Sequence, residues 1–329
     1  MNEQRIRRIL VVLLVGLAVI LLVTGAQGST APVYRIGVAL PLEGRYREIG
    51  YDIFFASRLA LLDALQTGTP SGYRVELVIY DDFGDPVRAA ANAEALTVDP
   101  AVLVVIGHWW PATTEAALPI YQAAGMPLVT AEGLAAAASP TQRVFILDAR
   151  PEEREAALAA YLDEQGISPA DVYLAPPTAS VTGAAALARN ADARLRIGDT
   201  LWGTRQFRAL TSDLSTELWF VTNAIWPANL ADPEGFRQAI LESDPSAREP
   251  GPFAALAHDA TALALDAIRR AQAAGPLTRE AVAAALAASD YSGLTGPITF
   301  EPDGFRQAAP LYLYRWEDTS APTLLERLQ

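Results

Sequence analysis

Cysteine is absent from all 329 residues. Disulfides, thiol catalysis and cysteine-ligated metals are therefore excluded, as is a lipid anchor built on an acylated cysteine. Lysine is missing too, so arginine supplies all 25 basic side chains. Beside so much alanine this reads as coding bias, and no function follows from it. Positive charge is scarce overall: the formal net charge is −13. Nucleic-acid binding relies on clustered Lys and Arg against phosphate, so no nucleic-acid partner is expected. The chain contains no G-x-S-x-G elbow, no G-x-x-x-x-G-K-[ST] and no G-x-G-x-x-G. His108 and His258 are the only histidines. The sequence offers little from which to build an acid–base pair, and no cofactor is expected.

What is present begins with a targeting pattern. Arg5, Arg7 and Arg8 precede an apolar run from Ile9 to Val23, and Ala26-Gln-Gly28 is a small-x-small cleavage site. Residues 1–31 therefore read as a secretory signal peptide or, if uncleaved, a membrane anchor through residues 9–26. Fifteen apolar residues suit a signal and are short for a span, which needs about 20. Either reading puts the body outside the cytoplasm. A body of about 300 residues has room for two medium domains with a substantial core.

Strands and helices alternate along that body, which calls for parallel sheets with right-handed crossovers. Val33–Leu40, Arg74–Tyr80 and Val102–Ile106 read as strands, with a helix from about Ile49 to Leu65 between the first two. Asp85 is a good N-cap and Pro86 a good first helical residue. Arg143–Leu147 reads as a strand that starts a crossing. Asp171–Ala175, Leu195–Gly198 and Glu217–Thr222 read as further strands. Ser243–Pro252 reads as a return linker, Phe253–Ala274 as a long helix, and Thr278 as the cap of the next one. Ile298–Phe300 and Leu311–Trp316 read as closing strands.

Several of these segments carry a family resemblance. They are Ile36-Gly-Val-Ala-Leu-Pro-Leu-Glu-Gly44, Tyr80-Asp-Asp-Phe-Gly-Asp-Pro86, Val105-Ile-Gly-His108, Ala117-Leu-Pro-Ile-Tyr121, Gly125-Met-Pro-Leu-Val-Thr130, Ala257-His-Asp-Ala260 and Gly293-Leu-Thr-Gly-Pro-Ile-Thr-Phe300. In order and spacing the chain resembles the leucine/isoleucine/valine-binding protein family, the type I periplasmic solute receptors of ABC importers. The resemblance covers about residues 33–135 and 250–305. It implies an α/β, two-lobed type I periplasmic-binding-protein fold, each lobe a doubly wound, mostly parallel sheet. Lobe 1 would comprise residues 32–148 and 250–308. Lobe 2, reduced in size, would comprise 149–249 and 309–329, with crossings near 148, 250 and 308. It further implies a non-enzymatic receptor that closes on a small-molecule ligand, an amino acid, amide or related carboxylate, and delivers it to an ABC permease. A membrane-anchored extracytoplasmic sensor is the alternative, and an α/β enzyme a more distant one.

Ligands in open α/β sheets bind at the carboxyl ends of strands, in this reading across a wet gap between lobes. The loop Gly107–Thr114 ends one such strand. Trp109 and Trp110 there either stack on a ligand or pack against the neighbouring lobe. Ala112 and Thr113 stand at a helix start, where free N–H groups favour an anion; Thr113 alternatively serves only as a cap. Arg45 and Tyr46 follow the first strand, within reach of a ligand anion, although a loop arginine is commonly just solvated. Glu132 and Gly133 follow the strand ending at Thr130, and Glu132 either meets a cation or faces water. Asn223 and Trp226 follow the strand Glu217–Thr222. The resemblance places an amino-acid contact at Leu134, where the side chain cannot supply it, and Pro111 also departs from the family's small hydroxyl residues. Asp81, Asp82 and Asp85 suit a turn and cap, and no metal site is expected.

Overall fold

The computed structural model describes residues 31–67, 72–131, 143–178, 180–317 and 321–329. Residues 1–30 of the segment read as a signal or anchor, the site candidates Glu132 and Gly133, and Leu134 lie outside the described residues. Among those described, no helix is long and apolar enough to cross a membrane.

Five strands form the first sheet: β1 (Val33–Leu40), β2 (Arg74–Asp81), β3 (Val102–Ile106), β4 (Leu128–Thr130) and β5 (Val144–Ile146). Their order is β2-β1-β3-β4-β5, every pair parallel. Helices α1 (Arg47–Gln66), α2 (Pro86–Val98) and α3 (Pro111–Ala123) connect them. The second sheet holds β6 (Val172–Leu174), β7 (Leu195–Gly198), β8 (Glu217–Thr222), β11 (Tyr312–Trp316) and β12 (Pro322–Arg327), in the order β12-β11-β8-β7-β6. Here β6, β7 and β8 run parallel, and β11 and β12 join antiparallel. Helices α4 (Pro151–Glu164), α5 (Val181–Asn190) and α6 (Arg205–Leu210) belong to this region. The chain then passes through α7 (Pro233–Ser243), α8 (Phe253–Ala274) and α9 (Arg279–Ala287), and the hairpin of β9 (Tyr291–Gly293) and β10 (Gly296–Ile298) precedes β11.

Both sheets are covered on both faces, and side-chain alternation shows how. Leu218 and Phe220 of β8 join one apolar cluster, whereas Trp219 and Val221 join another on the opposite face. On the first sheet, Ile53, Phe55 and Ala56 of α1 share a cluster with Leu256, Ala260 and Leu263 of α8. Ala93 and Leu96 of α2 and Ala117 and Tyr121 of α3 cover the other face. Helix starts follow their sequence signals: the Asp85 carboxylate accepts from the N–H groups of Val87 and Arg88 at 2.8 and 3.0 Å, and the Thr278 hydroxyl accepts from Ala281 N–H. Helix ends are met from afar. The Arg279 guanidinium donates to the carbonyls of Thr97, Asp99, Val102 and Ala124, so one residue of α9 satisfies the ends of α2 and α3 and the start of β3.

Val144–Ile146 is an integral strand of the first sheet, because its backbone pairs with β4, and the chain leaves that sheet only afterwards. The strand expected at Ile298–Phe300 is instead the β9–β10 hairpin ending at Ile298, with Phe300 making one isolated bridge to Arg306. β12 carries no sequence signal that set it apart, and it exists because β11 offers it an edge. Phe305 bridges in parallel to Ile146, and Arg150 donates to Asp303 at 2.6 Å, so two chain passages are tied together where they leave the first sheet.

Candidate functional site

The carboxyl ends of β3 and β4 face those of β8, and the loops that follow build the region between the sheets. Gly107 ends β3 with φ +126°, a conformation that suits glycine, and a Cβ there would strike the Ala39 carbonyl. His108 is fully buried: Nδ1 lies 2.7 Å from Asp82 Oδ2, and Nε2 lies 3.2 Å from the Tyr121 hydroxyl. The His108 carbonyl accepts from the Thr130 and Thr114 hydroxyls at 3.1 and 3.3 Å. The loop carrying the two tryptophans is thus fixed from four directions.

Trp109 and Trp110 are 1% and 7% exposed, and each packs edge-on against Phe253 with centroids 6.1 Å apart. Tyr46 lies over Trp110 at 4.8 Å. Both grip the first residue of α8 as the chain returns. The Thr113 hydroxyl donates to the Trp110 carbonyl at 2.9 Å and is buried, as a residue of the first helical turn. Ala112 beside it is half-buried. The turn-and-cap account of Asp81 and Asp85 holds, since Asp81 accepts from Leu42 and Phe83 N–H at 2.9 Å. Asp82 does more, because its second oxygen serves His108.

From the second sheet, Asn223 reaches across. Its Nδ2 donates to the Ala131 carbonyl at 2.5 Å, joining the loop after β8 to the loop after β4. Its Oδ1 is buried without a hydrogen-bond partner, as is Nε1 of Trp226. Trp226 donates its backbone N–H to the Tyr314 hydroxyl at 3.1 Å, and its ring meets Trp316 edge-on. Arg45 is exposed and extends to the Thr182 hydroxyl of α5 at 3.4 Å. Burial raises the Tyr46 phenol above its ordinary value.

Arg45, Tyr46 and Trp226 converge on one cleft with residues that sequence reasoning missed: Asp52, Arg205 and Phe253. The missed signal was a charged residue, Asp52, set among the apolar Ile49, Ile53 and Phe55 of one helix. The cleft volume is about 50 Å³. The expected wet gap is narrow at this point: one apolar cluster runs from α1 through Trp109, Trp110 and Phe253 to Trp226, Trp202 and Phe220, bringing aromatic side chains from both sheets together. Ordinary ligand pockets are several times larger.

The family model for periplasmic binding proteins matches residues 33–215 and 170–321. A leucine-, isoleucine-, valine-, threonine- and alanine-binding protein of Pseudomonas aeruginosa is 31% identical over 106 residues, covering 32% of this chain and 28% of that relative. The matched stretch thus spans less than a third of the curated relative. A branched-chain amino acid transporter substrate-binding protein of Streptococcus pneumoniae, in complex with isoleucine, superposes with TM-score 0.69 at 18% identity, covering 89% of this chain and 99% of that one. A solute-binding protein from R. palustris, in complex with benzoate, gives TM-score 0.67 at 16% identity, covering 90% and 96%. These likenesses establish the two-sheet fold. With the family model spanning both sheets, the chain belongs to the type I periplasmic binding protein family, the one that contains the leucine/isoleucine/valine-binding proteins.

Proposed function

We propose that this protein is the extracytoplasmic receptor of an ABC importer. It captures a small molecule between its two lobes, residues 32–148 with 250–308 and residues 149–249 with 309–329, by hinge closure, and presents the closed form to a membrane permease. The ligand is an amino acid, an amide or a related carboxylate. The observation that carries this reading is the Asn223–Ala131 contact, a hydrogen bond from the loop after β8 to the loop after β4 that joins strand ends of the two sheets. Such a junction makes and breaks without unfolding either sheet, as hinge closure requires.

Arg45, Tyr46, Asn223 and Trp226 are the ligand-contacting residues in this reading, and Trp109, Trp110, Ala112 and Thr113 form the wall behind them. The unpaired Asn223 oxygen and Trp226 indole N–H supply one acceptor and one donor. The aromatic walls suit a ligand with a flat or apolar body. Since the closed cleft is small, the open form must admit the ligand, and the ligand acts only through its preference for the closed state.

A thermal-shift screen over amino acids, their amides, aromatic acids and aliphatic acids tests this. A ligand at 100 times its Kd stabilises by about 2.7 kcal/mol, a shift of several degrees. A true ligand raises the melting temperature of the wild type and loses most of that effect on Asn223→Leu. If no compound raises it, the receptor reading fails.

A further inference from the structure

A groove of about 240 Å³ adjoins the narrow cleft, and the two share Glu48, Asp52, Arg205 and Glu249. To the groove α1 lends Tyr51 and Phe55, α7 lends Ile240, and the passage from α7 to α8 lends Arg248. Arg205 opens α6 beside the second sheet, and Arg45 lines the cleft itself. Arg45, Arg205 and Arg248 are exposed, and among the described residues none of them forms an ion pair with a carboxylate. Arg35, Arg58, Arg150 and Arg189, by contrast, each hold an aspartate within 2.7 Å. The acidic residues of the groove are mostly turned to other tasks. Both oxygens of Glu249 go to Arg237 at 2.8 Å. Asp52 accepts from Gly251 N–H at 2.9 Å, and Arg205 acts on it from beyond ion-pair distance. Glu48 is exposed and unmatched. Three guanidinium groups thus face two carboxylates without a counter-ion, a positive balance in a chain of net charge −13. The Arg248 guanidinium sits over the Tyr51 ring at 4.8 Å, and Arg47 donates to the Tyr51 hydroxyl at 3.1 Å. Stacking holds the Arg248 fork in place and leaves its edge N–H groups unspent.

We propose that the ligand of this protein is a dicarboxylate, with one carboxylate held by Arg205 and Arg248 in the groove, the other by Arg45, and an apolar spacer against Tyr46 and Trp226. This rests on the receptor reading above and narrows its ligand class. A guanidinium fork meets a carboxylate with two parallel hydrogen bonds. A monocarboxylate satisfies one end of the site and leaves the other to water. An ammonium group is repelled by the three guanidinium groups, with only Glu48 and Asp52 to offset this. The cleft of about 50 Å³, lined by Tyr46, Trp226 and Phe253, suits a thin apolar spacer between the two charged ends. Arg45 precedes α1 on the first lobe and Arg205 belongs to the second, so a diacid that engages both favours the closed form.

Isothermal titration calorimetry near neutral pH and at low salt, with succinate, adipate and suberate beside butyrate, benzoate, leucine and inorganic phosphate, reads this directly. At least one diacid binds about tenfold or more tightly than every other compound, and its affinity falls as salt is added. Arg205→Gln and Arg248→Gln each weaken it about 10- to 100-fold, and Arg205→Lys restores part of the loss. Both positions are exposed, and unchanged melting temperatures of the unliganded variants show that they fold. If leucine, benzoate, butyrate or phosphate binds as tightly as the diacids, the dicarboxylate assignment falls and the receptor reading stands. Diacid affinity unchanged in both glutamine variants overturns the site. Diacid binding that leaves the radius of gyration unchanged in small-angle scattering keeps the site and removes hinge closure. If nothing in this panel binds, the dicarboxylate site is overturned, and the thermal-shift screen above decides the receptor reading separately.

Discussion

His108 Nδ1 lies 2.7 Å from Asp82 Oδ2 in a site closed to solvent, with Tyr121 on the other ring nitrogen. Three separate sequence motifs, Tyr80–Pro86, Val105–His108 and Ala117–Tyr121, each supply one member. The same His108 residue takes two threonine hydroxyls on its carbonyl, so the trio sets the position of Trp109 and Trp110.

Removing one partner strands the others in a dry interior. Asp82→Ala is expected to cost about 3 kcal/mol, the usual effect of leaving a buried polar partner unpaired. Urea unfolding measures it, and a red-shifted tryptophan emission should accompany it as the loop loosens. A loss below about 0.5 kcal/mol would show the trio to be slack.

His258 gives stability a pH dependence of its own. Its burial works against protonation, but the carboxylates of Asp259 and Asp63 outweigh this and hold it at about 9. Asp63 is 3.4 Å from Nε2 and Asp259 is 3.7 Å from Nδ1. A raised folded-state value stabilises fully below the unfolded value of about 6.5 and ceases to do so as pH climbs through about 9. The amount lost is up to about 3 kcal/mol. Urea midpoints at pH 6 and pH 9.5 should differ accordingly, and His258→Gln should flatten that difference.

Asp259 anchors the hairpin that precedes the last crossing. It accepts from Leu294 N–H at 2.8 Å and from both the N–H and the hydroxyl of Thr295 at 2.7 Å. Buried Arg306 donates to the Thr295 hydroxyl and carbonyl and to the Pro297 carbonyl. Asp259→Ala should cost about 3–5 kcal/mol, as when a buried charge loses its counterpart. Hydrogen exchange should quicken at Leu294 and Thr295 well before it changes in the first sheet; uniform protection across the hairpin would contradict this.

Asn223 carries the hydrogen bond between the loops that follow β8 and β4. Asn223→Leu, of similar size, removes it, and the closed form should weaken by about 1 kcal/mol, about fivefold in the open–closed balance. Scattering should show a larger radius of gyration for the unliganded variant. An unchanged radius would mean that aromatic packing alone sets closure.

The parallel sheets were legible because β3 is a wholly apolar run and α8 repeats Leu256, Ala260, Leu263 and Ala267 along one side. Local chemistry such as the Asp85 cap was legible for the same reason: cause and effect lie within a few residues. β12 was not, since Pro322–Arg327 becomes a strand only through the edge of β11. The Trp109–Trp110 loop could be located in the sequence, but its burial could not, because Phe253 stands about 140 residues downstream. Asp52 was overlooked because its partner Gly251 lies 199 residues away.

Arg279 finishes elements that were synthesised long before it, and α8 covers a sheet whose last strand precedes it by about a hundred residues. On the ribosome, the opening segment must wait with part of one apolar face, the part that α8 covers, bare until the chain has come back from building its second sheet. A gene fragment ending near residue 150 would keep that part bare permanently, and should emerge as an aggregating polypeptide rather than as a folded lobe.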